Sequence, residues 1–290
     1  MKSLDEEIRE SLSRKLLNIL KKEYKELWGE EDEKHIHELV YIHSNLDEDL
    51  TGNINRLQEE IGYIKDKRIL DFGCGWGNFL LYCIRNGYNT FGVDISRTRC
   101  EYFSFACKTI NLNKYKSRYV IYDGKTLPFK DETFDIVIAN QVLEHVEDLE
   151  KTIEEISRVI KKSGILYVRS PDYSRSFFEP HYRTFWIPFF KGKIAEKYLK
   201  IIGKTREGLK HINFLSGRKL KSILKENGFK VLKDMEKKII IEGRKEKMRK
   251  KLKILPDFAI ETLNRTYEII RQIRMIGNQE NQIDIIFMRE

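Results

Sequence analysis

From residue 68 onward, short apolar runs alternate with segments whose apolar residues return every three or four positions. The runs predict strands at 68–72, 90–95, 118–122, 134–139, 165–170, about 229–240 and 283–289. Amphipathic segments lie between the first five, the clearest being "DLEKTIEEISRVIKKSG". In it Leu149, Ile153, Ile156 and Ile160 share a face, Asp148 caps the start and Gly164 follows a lysine-rich end. Strands alternating with helices build a parallel sheet covered on both faces. After a helix at about 217–227 the alternation stops. "FKVLKDMEKKIII" and "QIDIIFMR" lack an ordinary crossover helix between them, so they are expected to close the sheet as an antiparallel pair. The predicted fold class is α/β: seven strands, mostly parallel with the last antiparallel, flanked by helices.

Three segments stand outside this scheme. Residues 1–62 read as an N-terminal helical extension, with Leu4, Ile8, Leu12, Leu16, Ile19 and Leu27 near one stripe. Residues 173–215 separate the fifth strand from the helix at 217 and are too long for a simple connection, as expected of an insert over a substrate. Residues 244–276 read as a helical insert within the final pair. Its basic start, "RKEKMRKKLKIL", reads as a solvated face or as a contact for anionic lipid or polymer.

Composition narrows the class. A chain of 290 residues with 41% hydrophobic and 34% charged residues buries a core and carries long solvated helices. No run of about 18 uncharged apolar residues occurs, and MKSLDEEIRE lacks the apolar core of a secretory signal, so a cytoplasmic location is expected. Cys74, Cys83, Cys100 and Cys107 match no zinc spacing and read as reduced thiols in or near the core; no metal is expected. The net charge of +9 favours an anionic partner or simply solubility.

In "ILDFGCGWGNF" three glycines alternate directly after a strand and before a helix. Residues without Cβ permit a tight turn there and let backbone N–H groups approach a ligand at the carboxyl edge of the sheet. A dinucleotide fingerprint would place its third glycine at position 78, which is Asn78, so nicotinamide and flavin sites are disfavoured.

Here the sequence resembles the class I S-adenosylmethionine-dependent methyltransferases, over roughly residues 66–172. That resemblance implies a Rossmann-like methyltransferase domain over 63–290, carrying the insert at 173–215 as a substrate lid. It implies S-adenosyl-L-methionine as cofactor, with S-adenosyl-L-homocysteine as product. "LDFGCGWGNFL" looks like the family's first motif, so Asp71, Phe72, Gly73, Cys74, Gly75 and Gly77 are expected around the methionine part of the cofactor. In "FGVDIS", Asp94 takes the place of the acidic residue that accepts both ribose hydroxyls, a task suited to two acceptor oxygens, with Ile95 beside it. "YDGKTLPFKDETFDIVIANQVLEHVED" places Asp123 and Gly124 at the adenine, and Asn140 and Gln141 below the sulfonium.

The sulfonium is already activated, so the protein must align a nucleophile and, for a hydroxyl or amine, remove a proton. His145, His181 and His211 are the candidate bases; His145 in "LEHV" can equally be a packing residue. In ubiquinone-type relatives an acidic and histidine cluster here binds a metal, but Gln141 stands where the first acidic ligand would be. Asp172, Tyr173, Glu179, Tyr182 and Arg183 in the insert suit a polar acceptor, while its Phe-Trp-Ile-Pro-Phe-Phe run reads as a lid surface or as lid core. The same run beside Lys191, Lys193, Lys197 and Lys200 also suits shallow docking on anionic membrane. The sequence Asn140-Gln141-Val142-Leu143 departs from the pattern of exocyclic-amine nucleic-acid enzymes, and no cysteine is placed for cytosine-C5 chemistry.

The leading expectation is methyl transfer to a hydroxyl oxygen of a small-molecule, sugar, glycan or lipid-linked acceptor. RNA methylation and a non-catalytic cofactor-binding scaffold are the alternatives, and the helical extension leaves a dimer open.

Overall fold

The computed structural model describes residues 4–28, 33–46, 52–188, 190–235 and 282–290. The sheet uses β1 (Arg68–Phe72), β2 (Asn89–Asp94), β3 (Tyr119–Ile121), β4 (Phe134–Asn140), β5 (Ile160–Pro171), β8 (Phe229–Asp234) and β9 (Gln282–Arg289). Its seven strands are ordered β3-β2-β1-β4-β5-β9-β8. Pairing is parallel from β3 through β5, and β9 runs antiparallel to both its neighbours. The order in which strands are added switches from one side of β1 to the other at β4, and at that switch point the carboxyl ends of neighbouring strands open a crevice for a ligand.

Alternation along the strands decides which helix covers which face. Leu70, Val137, Ala139, Leu166, Val168 and Ile285 point to α6 (Leu149–Val159) and α8 (Gly217–Glu226), burying Ile153, Ile156, Leu220 and Leu224. Their neighbours Ile69, Ile136, Ile138, Tyr167 and Ile286 point to α3 (Asn53–Ile61) and α4 (Asn78–Arg85). The extension is therefore partly a cover of the sheet. Arg56 of α3 donates to Asp284 of β9 at 3.1 Å, and Tyr167 donates to the same carboxylate at 2.9 Å.

The stripe read in residues 1–28 lies on α1 (Leu4–Trp28), where Leu12 and Leu16 are buried and Ile8 and Ile19 partly so. Leu12 packs with α4 and with α5 (Arg97–Thr109), whereas Leu16 and Leu20 meet α2 (Glu33–Ser44) across Trp76 and Tyr102.

One boundary differs from the sequence reading. The helix that starts at Asp148 ends at Val159, and Ile160 pairs with Phe134 as the first residue of β5. Ile160 is fully buried at the sheet, Lys161 pairs with Asp135 at 2.9 Å, and Ser163 turns the chain with φ 60°. A Cβ on Gly164 would lie 2.8 Å from both Ile160 Cγ2 and the Lys161 carbonyl. The glycine thus serves a strand bulge, not a helix cap.

The insert at 173–215 folds as a hairpin, β6 (Phe178–Glu179) with β7 (Thr184–Phe185), followed by α7 (Gly192–Ile201) and a 3-10 turn at Glu207–His211. It has its own core of Tyr173, Tyr182, Trp186, Ala195, Leu199 and Ile212, with Trp186 stacked on Phe214 at 5.9 Å. Of the aromatic run, Trp186 and Phe190 are lid core. The sequence segment 244–276 and the end of the strand expected to reach 240 lie outside the described residues.

Candidate active site

Asp71 and Phe72 are buried at the end of β1, and the chain turns through Gly73, Gly75 and Gly77 at φ +71°, +53° and +76°. Two of the three glycines are required by packing. A Cβ on Gly73 would lie 2.2 Å from Val142 Cγ2, and one on Gly77 would lie 2.4 Å from the Phe103 ring. At Gly75 a Cβ would meet nothing within 4 Å. The loop is pinned from below by Gly73 and Cys74 N–H groups donating to the Val93 carbonyl at 2.8 and 3.0 Å.

Asp94, at the end of β2, accepts from the Gly75 N–H at 2.9 Å through Oδ2 and from the Ser96 N–H at 2.9 Å through Oδ1. Those two bonds fix the carboxylate plane and leave acceptor lone pairs on each oxygen. Next to it Ile95 is 64% exposed, an apolar surface at a strand end, and a Cβ on Gly124 would sit 3.5 Å from its Cγ2. Asp123 accepts from the Lys125 and Thr126 N–H groups at 2.8 and 2.9 Å, bonds that hold its carboxyl below the usual range. At the end of β4, the buried Asn140 Oδ1 has no hydrogen-bond partner among the described residues. Gln141 takes φ 54°, its N–H donating to the Arg169 carbonyl at 2.7 Å.

This crevice fits the expected cofactor. Open space over Gly75, a fixed carboxylate at Asp94, an exposed isoleucine and an unsatisfied amide oxygen suit a ligand that carries a ribose, an adenine ring and an ammonium group. Asp94 would hold the ribose hydroxyls, Ile95 and Asp123 would flank the adenine, and Asn140 would face the amino-acid end.

Trp76 and Arg99 were not singled out in the sequence, and both belong to this wall. Trp76 is buried under α1 and α2, meets Tyr102 edge-on at 5.6 Å, and has the Arg99 guanidinium 5.4 Å from its ring centre. The Arg99 charge acts on Glu23, His43 and His145, so one cation links the extension, the glycine loop and the end of β4. His43, whose Nδ1 is 3.2 Å from Asn78 Oδ1, is driven down to about 4 by burial and is neutral near pH 7. Residue type gave some signal for Trp76, the one large side chain between the glycines; Arg99 is visible only once α5 is placed.

On the acceptor side the structure joins residues far apart in sequence. His145 follows β4, and its Nδ1 lies 2.8 Å from the His211 carbonyl. His181, between β6 and β7, has Nε2 3.0 Å from His145 Nε2 and Nδ1 2.7 Å from Glu179 Oε1. A carbonyl only accepts, so His145 Nδ1 carries a hydrogen and Nε2 is bare when the ring is neutral. His181 must then donate through Nε2 to His145 and through Nδ1 to the carboxylate. These bonds assign an imidazolium to His181 and a neutral ring to His145.

The electrostatics agree. Burial alone would depress His181, but the bond and charge of Glu179 hold it above the usual imidazole value. Burial and then the His181 charge push His145 down to about 4, although the ring keeps an exposed edge. Glu179 is itself fully buried and accepts from Tyr173 Oη at 3.0 Å and the Tyr182 N–H at 2.5 Å.

Several expected roles change. His211 enters through its backbone carbonyl, and no ring contact to the pair is formed. Asp172 is 2% exposed and holds its own turn, accepting from Ser174 Oγ at 2.6 Å and from Arg175 at 2.8 and 2.9 Å, so it is not presented to an acceptor. Tyr173 and Tyr182 are buried in the lid core and orient Glu179. Arg183 is the exposed member of the five, 3.8 Å from Glu38 of α2, and so bridges lid and extension.

A sheet of this order with a glycine loop and a terminal carboxylate on its first two strands defines a class I S-adenosylmethionine-dependent methyltransferase domain. The comparisons agree: residues 42–234 match the family described as Methyltransferase domain, and the chain belongs to it. It is 35% identical over 147 residues to an uncharacterised protein of Methanocaldococcus jannaschii, covering 51% of this chain and 59% of that protein. It is 32% identical over 105 residues to the ubiquinone biosynthesis O-methyltransferase of Pelagibacter ubique, covering 36% of this chain and 42% of that one. The chain thus spans less than two thirds of these relatives. The crystal structure of the MccD protein shares the fold, with a TM-score of 0.51 at 16% identity over 82% of this chain and 96% of that one.

Proposed function

We propose that the protein transfers a methyl group from S-adenosylmethionine to a hydroxyl oxygen of a small-molecule, sugar, glycan or lipid-linked acceptor. The observation that carries this reading is the chain Glu179–His181–His145, which ends in two ring nitrogens 3.0 Å apart. The bound cofactor would supply an electrophilic methyl group. The chain's own residues would supply the base.

His181, oriented by the carboxylate behind it, accepts the hydroxyl proton at Nε2 once it is neutral; His145 shares the same point of convergence and lines the acceptor's entry. An acceptor hydroxyl inserts between the rings and replaces their direct bond. A carboxylate–imidazole pair raises basicity and fixes the tautomer together, which is why the residue order suits proton removal from oxygen. Kinship to methyltransferases named for ubiquinone biosynthesis, a sterol and norajmaline supports a small-molecule acceptor, and the choice of oxygen rests on the histidine pair. The RNA alternative rests on the net charge of +9 and on the basic stretch near 244–253, and that stretch lies outside the described residues.

The test is transfer of labelled methyl from S-adenosylmethionine to a panel of phenols, quinols, sugars and amines, with wild type and His181→Ala. Label on a hydroxyl acceptor, lost in the variant, is expected. Label confined to amines, or full turnover by His181→Ala, would overturn the reading.

A further inference from the structure

The lid carries a surface that the chemistry beneath it does not use. On α7, Ala195 and Leu199 face the lid core, while Ile194 and Ile201 stand on another side of the same helix, 61% and 82% exposed. They are seven residues apart, two turns, so they share one line along the helix. Ile202, which ends the helix, is 38% exposed, and Ile187, on the loop leading into it, is 41% exposed. Isolated exposed apolar residues are ordinary on protein surfaces. Branched aliphatics concentrated at one helix of one lid are not.

The polar residues around them have one dominant sign. Between 191 and 204 the chain has five lysines, Lys191, Lys193, Lys197, Lys200 and Lys204, against one carboxylate, Glu196. Glu196 is already engaged by Arg206 at 3.4 Å. Lys193, Lys197 and Lys200 are exposed, and at 100° per residue they fall on the flank of the isoleucine line opposite the lid core. The helix thus has three sectors in order: core, exposed isoleucine and lysine.

That order is the one an interfacial helix needs, with aliphatic side chains entering the acyl boundary and ammonium groups at headgroup depth. We propose that α7 docks the lid onto an anionic lipid bilayer, with Ile194 and Ile201 inserted and Lys193, Lys197 and Lys200 against lipid phosphates. Charge decides among the occupants. A second copy seated here would bring like-charged lysines together, and a nucleic acid would take the lysines but leave the isoleucines in water.

Docking also has a path to the chemistry. Ala195 and Leu199 pack in one cluster with Tyr173 and Tyr182, the residues that hold Glu179, and the 3-10 turn after α7 delivers the His211 carbonyl to His145. The surface stands on its own exposure and charge, whichever atom is methylated.

The experiment is co-sedimentation of the full chain with vesicles of phosphatidylcholine alone or mixed with phosphatidylglycerol. It compares wild type with Ile194→Ser/Ile201→Ser and with Lys193→Gln/Lys197→Gln/Lys200→Gln, and calorimetry of S-adenosylhomocysteine confirms that each variant is folded. Binding that requires the anionic lipid and weakens about tenfold or more in each variant is expected. Absence of wild-type binding overturns the proposal. So does binding unchanged by the isoleucine variant, which would reflect only the general attraction of a chain with net charge +9. A wild-type dimer in sedimentation velocity that the isoleucine variant dissolves would assign the face to a second copy, and lysine-dependent, isoleucine-independent RNA binding would assign it to nucleic acid.

Discussion

His181 Nε2 lies 3.0 Å from His145 Nε2, and the proton between them belongs to His181. That assignment makes the acid limb of catalysis predictable. His181 is held above its ordinary value by Glu179, and only its neutral form can take a proton. Under the proposed reading, kcat/KM should therefore rise with pH through a value above 6.5. Glu179→Gln keeps an acceptor but removes the charge, so the limb should move to lower pH while kcat falls. His181→Ala should lower kcat by about 10²- to 10⁴-fold with a smaller change in KM. An unmoved limb in Glu179→Gln would sink the pairing of carboxylate and base.

Asp94 is bonded to the loop it faces, and it is the group placed for the ribose. Asp94→Ala removes a charge-assisted bidentate acceptor and should weaken S-adenosylhomocysteine by about 1.5–3 kcal/mol, roughly ten- to a hundredfold. Calorimetry reads this directly. Equal affinity in wild type and variant would remove Asp94 from the cofactor site.

The glycines should separate folding from binding. Gly77→Ala forces a Cβ into φ +76° and to 2.4 Å from the Phe103 ring, so it should cost about 2–4 kcal/mol of stability. Gly75→Ala meets open space and carries only the backbone strain at φ +53°, about 1–2 kcal/mol, but its methyl occupies the cradle and should weaken the cofactor. Denaturant melts beside calorimetric titrations distinguish them. Should Gly75→Ala bind normally, the open space over that residue is not where the cofactor lies.

Much of this was legible in the chain because it is written locally. Short apolar runs specified β1 to β5, and the change of pattern after 228 specified the reversed β9. Motif spacing specified the glycine loop and Asp94 because each sits at the end of its own strand. The acceptor side was less readable. Nothing near His145 in sequence announces that His181 and the carbonyl of His211 will meet it, because they lie 36 and 66 positions further along the chain. Asp172 and Tyr173 looked presentable by residue type, yet burial turned one into a turn anchor and the other into a support for Glu179. Polar residues in an insert signal hydrogen bonds without saying whether the partner is the lid itself.

A buried acid beneath the histidines supplies the last test. Glu144 is fully buried; its Oε2 accepts from Ser170 Oγ at 3.0 Å, and its Oε1 has no partner among the described residues. An ionised carboxylate is poorly solvated there, and burial pushes this group up to about 7, against its bond to its own backbone N–H, the charge of His181 and the Ser170 bond. The folded state therefore binds a proton that the unfolded chain, with an ordinary value near 4.5, has already lost. Stability from this group is complete below about 4.5 and declines as pH rises through 7, by on the order of 3 kcal/mol. Glu144→Gln is neutral throughout and can still accept from Ser170, so any cost of its amide nitrogen is independent of pH. His145 acts in the opposite sense, losing stability as pH falls from 6.5 toward 4, and is common to both proteins. The difference in Tm between Glu144→Gln and wild type should thus grow in the variant's favour by about 5 °C between pH 5 and pH 8. A flat difference would mean that Glu144 is ionised in the folded protein, and His181 would then have two carboxylates to answer to instead of one.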